Sequence, residues 1–80
     1  MSNMGRLELT AINKYGEEIK SECAISTIYQ EIAFSYKGTQ HTIKYKQSRN
    51  GNYFILKGIR YYFKVYDNFY NKWVLDCACF

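Results

Sequence analysis

Eighty residues, 48% of them hydrophobic and 19% aromatic, bound this chain to one small domain with a single modest core. Charged residues at 22% are ordinary for a globular protein and exclude intrinsic disorder, while no stretch reaches the ~20 apolar residues of a membrane-spanning helix. The charge is uneven: residues 1–40 carry four cations and five carboxylates, residues 41–80 seven cations and two carboxylates, which points to an acidic partner.

Residues 1–6 read as a flexible N-terminus ahead of one β domain over 7–80. Leu7, Leu9 and Ala11 alternate with Glu8, Thr10 and Ile12, the period-two pattern of a half-buried strand. Asn13-Lys14-Tyr15-Gly16 supplies a turn. A second strand starts near Glu18, with Ile19, Ser21, Cys23 and Ile25 on one side. Its β-branched residues favour strand, although Ile19, Cys23 and Thr27 also fit the i, i+4 spacing of one short helix over 18–29. Ile32, Phe34 and Tyr36 then alternate with Glu31, Ala33 and Ser35 up to the break at Lys37-Gly38. His41, Ile43 and Tyr45 alternate with Thr42, Lys44 and Lys46 on the return strand.

Asn50-Gly51 is a strong hairpin signal, followed by a strand from Tyr53 to Leu56 and a turn or bulge at Lys57-Gly58. The next run sorts its chemistry cleanly. Ile59, Tyr61, Phe63 and Val65 share one face; Arg60, Tyr62, Lys64 and Tyr66 share the other. Asp67 to Lys72 read as a polar-aromatic loop, and Trp73, Leu75, Cys77 and Cys79 line one side of a last strand. Short strands joined by tight turns predict an all-β fold: an antiparallel meander, rolled sheet or barrel of five to seven strands.

The candidate binding residues are Lys44, Lys46, Arg60, Tyr62, Lys64 and Tyr66, outward positions that would form one patch if their strands are near neighbours. Cations there can meet phosphates or carboxylates, and flat phenol rings can stack on bases. Such a face suits a host protein or nucleoprotein complex, or alternatively single-stranded DNA or RNA. The opposite sign of Glu8, Glu22 and Glu31 makes the surface dipolar, which steers docking.

Other chemistries find less support. Cys77-x-Cys79, Cys23 and His41 could supply four zinc ligands, but the spacing suits no structural zinc site and the cysteines read as core residues. Lys57, Gly58 and Tyr61 agree with the RNA-recognition signature while Ile59, Arg60, Tyr62 and Lys64 depart from it, and its two helices are missing. Cys77-Ala78-Cys79-Phe80 matches the prenylation pattern only formally, because the same residues continue a strand. One histidine and no phosphate loop, nucleophile elbow or carboxylate pair leave catalysis, metals and cofactors without a residue set.

Three cysteines, an odd number, and the lack of a leader-like segment predict the cytoplasm, with no membrane role. Abundant Lys, Ile, Tyr and Asn without proline fit an AT-rich bacterial or phage gene. The expected function is a non-enzymatic inhibitor of phage or mobile-element type. Its profile is similar in kind to small anti-defence proteins such as anti-CRISPR proteins, with no shared motif. An exposed edge strand could also pair two copies into a homodimer.

Overall fold

The computed structural model describes residues 7–74. Its strands are β1 (Leu7–Asn13), β2 (Glu18–Ser26), β3 (Glu31–Tyr36), β4 (Thr39–Lys44), β5 (Lys46–Ser48), β6 (Gly51–Leu56), β7 (Ile59–Asp67) and the two-residue β8 (Lys72–Trp73). All pairings are antiparallel and belong to one sheet, ordered β4-β3-β2-β1-β7-β6-β5, with β8 on β7 beside this path. The all-β expectation is met.

The short helix over 18–29 does not form; β2 occupies Glu18–Ser26 instead. Its first part pairs with β1 and its last part with β3, so neighbouring strands satisfy the backbone groups a helix would satisfy internally. The i, i+4 match of Ile19 and Cys23 is also a period-two match, because four is even. A second difference concerns residues 41–46, which form two strands broken at Tyr45 rather than one. Leu75, Cys77 and Cys79 lie outside the described residues.

That break sets the shape. β4 and β5 stand at opposite ends of the seven-strand path, yet Tyr45 alone joins them. Six strand spacings of about 4.8 Å would separate the ends of a flat sheet by roughly 29 Å. Two peptide steps span at most about 7 Å. The sheet therefore curls into a half-barrel, and residues from distant strands meet inside it. Phe34 of β3 packs on Phe54 of β6 with ring centroids 5.0 Å apart. Phe54 also touches Tyr61 at 5.5 Å and Phe63 at 5.4 Å, and the Tyr45 ring meets Phe63 edge-on at 5.4 Å. Leu9, Ala11, Ile19, Ile32, Leu56 and Val65 complete the buried core. Tyr45 is itself buried, and its N–H donates to the Gln30 carbonyl at 2.9 Å.

The turns follow local chemistry. Lys37-Gly38 and Lys57-Gly58 are two-residue turns with positive φ at both positions (52° and 79°, 54° and 79°), the type I′ geometry that matches strand twist. The turn marked by Asn50-Gly51 comes one residue early. Ser48 pairs with Gly51, so Arg49 and Asn50 make the turn and Gly51 opens β6 at φ 130°, where a side chain would be strained. Buried Asn13 organises the β1–β2 turn: its Oδ1 accepts from the Tyr15 and Glu17 N–H groups at 2.9 and 3.0 Å.

Two predictions test this packing. Phe54→Ala should cost about 3–5 kcal/mol in urea unfolding, while Ile55→Ala, one residue along and half exposed, should stay within about 1 kcal/mol. The second concerns alkali. Burial raises the Cys23 thiol from 9.0 to about 11 and raises the Tyr45 and Tyr61 phenols above their usual value. Each favours the folded state while protonated, so this stability is complete at neutral pH; the Cys23 part is lost as pH climbs from 9 to about 11 and the tyrosine part only above 10. Melting temperatures should hold from pH 7 to 9 and fall above it.

Candidate binding face

Strand β7 carries the face because its two sides are so unlike. Tyr61, Phe63 and Val65 are buried in the curl, whereas Arg60 and Lys64 are exposed and Tyr62 and Tyr66 half-buried on the outer side. Register then decides their neighbours. Tyr62 lies opposite Tyr53 on β6 and Ile12 on β1; Tyr66 lies opposite Trp73 on β8 and Glu8 on β1.

The outer side chains interleave cations with rings. The Arg60 guanidinium stands 4.2 Å from the centroid of the Tyr53 ring and donates to the Tyr62 hydroxyl at 3.4 Å. Tyr53 and Tyr62 are 5.6 Å apart. Further along, the Lys64 ammonium lies 5.6 Å from the Trp73 ring, which meets Tyr66 edge-on at 5.0 Å. Arg60 hydrogen bonding stabilises the Tyr62 phenolate and lowers that phenol below the ordinary tyrosine value.

Two open grooves flank Tyr62. One, of about 550 Å³, is lined by Lys14, Tyr15, Ile59 and Arg60; the other, of about 380 Å³, by Thr10, Asn50, Lys64 and Trp73. Tyr62 and Ile12 line both and form the ridge between them. Among the described residues, neither lining contains a carboxylate. The carboxylates of Glu18 and Glu22 are on β2, beyond β1, so the outer surface divides into a basic half over β5–β8 and a mixed, more acidic half over β1–β4.

Compared with family models, curated proteins and solved structures, the chain matches none significantly.

Of the six sequence candidates, Arg60, Tyr62, Lys64 and Tyr66 share the outer side of β7. Lys46 joins them through Tyr53, its register partner, which sits between β5 and Tyr62. Lys44, two residues from Lys46 but at the other end of the hydrogen-bonded path, turns to other partners: its ammonium lies 3.6 Å from Glu31 and 3.4 Å from the Tyr29 carbonyl. Tyr53, Trp73 and Ile12 were missed. Phe54 and Leu56 alternate with Tyr53 and Ile55, so both sides of β6 read as apolar and parity alone names no outer face. Trp73 reads as core in the sequence but is 44% exposed beside Lys64.

His41 packs against Phe34 and Tyr36, at 5.7 and 6.3 Å between ring centroids, away from the grooves. Cys23 is half-buried and its raised thiol is a poor nucleophile at neutral pH. Among the described residues, no cluster of His, Cys, Asp or Glu could hold a metal ion.

The Arg60–Tyr62 contact has a direct readout. In an NMR titration of the tyrosine rings, Tyr62 should ionise below the ordinary value, and Arg60→Met should raise it. An unchanged Tyr62 titration in the variant would contradict the contact.

Proposed function

We propose that this chain is a non-enzymatic binding protein: a small inhibitor of phage or mobile-element type that docks on a host protein or nucleoprotein complex. The docking surface is the outer side of β6, β7 and β8. One observation carries the reading, the interleaving of Arg60 and Lys64 with Tyr53, Tyr62, Trp73 and Tyr66 beside carboxylate-free grooves.

Tyr, Trp and Arg are the side chains that carry most energy at interfaces, through large rigid area and directed hydrogen bonds. Two of the cations already rest on rings. Less rotamer freedom is then lost when a partner arrives. The excess of cations in residues 41–80 also steers an acidic partner toward this side. A phage or mobile-element source, and with it a bacterial cytoplasm, is supported by the proline-free composition rich in Lys, Ile, Tyr and Asn.

The test is affinity capture from lysates of low-GC bacteria, with and without nuclease, using the wild type and the Arg60→Ala, Tyr62→Ala double variant. A retained partner should be lost in the double variant while its melting temperature stays within a few degrees of wild type. Capture that survives both substitutions would move the docking surface elsewhere.

A further inference from the structure

We infer that the outer side of β7 holds a single strand of nucleic acid, laid along β7 with Tyr62 as the stacking ridge; this rests on the docking role proposed above and names the component contacted. The grooves on either side of Tyr62 are built alike. The first offers Lys14 and Arg60 for phosphate and the rings of Tyr15 and Tyr62 for a base. The second offers Lys64 with the rings of Trp73 and Tyr62. Open hollows roomy enough for a base, each carrying cations and bounded by rings, repeat along one strand.

Charge fixes the direction of the track. The outer positions of β1 and β2 carry Glu8, Glu18 and Glu22 around the single cation Lys20, so a polyanion crossing from β7 over β1 meets mostly carboxylates. Travel along β7 from Lys64 meets Tyr62 and Arg60 before reaching Lys14 at the β1–β2 turn, whereas the other end, at Tyr66, faces Glu8. Side chains two apart on a strand repeat at about 6.6 Å, so Arg60 and Lys64 stand roughly 13 Å apart with Tyr62 midway. That interval suits the phosphates on either side of a nucleotide pair in an extended chain, with bases turned onto the rings.

The same geometry disfavours a duplex. Ring faces stack only on bases that are free of their own neighbours, as in single strands. Phosphates of a stiff double helix would engage the cations and leave Tyr62 and Trp73 unused. Stacking is tolerant of sequence because every base has a flat face.

Fluorescence anisotropy with labelled oligothymidylate and oligouridylate tests this, with a hairpin duplex and polyglutamate as competitors. Single strands should bind at low salt and resist both competitors. Three phosphates neutralised by Lys14, Arg60 and Lys64 give a slope of log K against log salt of about −2. Tyr62→Ala and Trp73→Ala should each weaken binding about tenfold. Tyr62→Phe should keep it, and Arg60→Ala with Lys64→Ala should flatten the slope by about 1.4. Equal displacement by polyglutamate, preference for the duplex, or indifference to Tyr62→Ala in a folded variant would overturn the inference. A partner captured from lysate despite nuclease, with no oligonucleotide binding, sinks this inference and leaves the docking role standing. Loss of both sinks both.

Discussion

The fold depends on a one-residue connection. Tyr45 links strands that terminate opposite ends of the hydrogen-bonded path, and a peptide cannot stretch to the width of a seven-strand sheet. Curling is the only arrangement that satisfies both pairing and connectivity. Tyr45 then stabilises the curl it enforces, with its ring on Phe63 and its N–H on the Gln30 carbonyl. Everything inside the half-barrel, including the Phe34–Phe54 contact across it, follows from that joint.

Curling separates two chemistries. The concave side must exclude water, so β7 turns Tyr61, Phe63 and Val65 toward Phe54 and Leu9. Period two then leaves Arg60, Tyr62, Lys64 and Tyr66 on the convex side, whatever their function. The aromatic cluster inside thus fixes which side of β7 faces outward. A register slip by one residue would bury two cations, a cost no small domain could meet.

Much of this is legible from the chain because strand parity is a local property. Alternation in β1, β3 and β7 names their inner residues correctly, and the Lys-Gly pairs mark turns where they occur. What was not legible is set by contacts distant in sequence. Nothing near Tyr45 announces that it ends one strand and starts another, since the alternation from His41 to Lys46 runs through it unbroken. For the same reason Lys44 and Lys46 look like one pair, though Lys44 turns toward Glu31 and Lys46 pairs with the strand beside β7. Trp73 reads as core because its apolar bulk is visible and its pairing with Tyr66 is not. Tyr53 becomes part of the site only through the guanidinium stacked on it from β7.

The proposed docking surface is therefore centred on the wet side of one strand. Solvent paramagnetic relaxation measures that side directly: a soluble, inert paramagnetic agent attenuates side-chain NMR signals in proportion to their exposure. Along β7, Arg60 and Lys64 should be attenuated strongly, Tyr62 and Tyr66 clearly, and Tyr61, Phe63 and Val65 should be protected. Uniform attenuation along the strand, or protection of Tyr62 and Lys64 in the free protein, would contradict it.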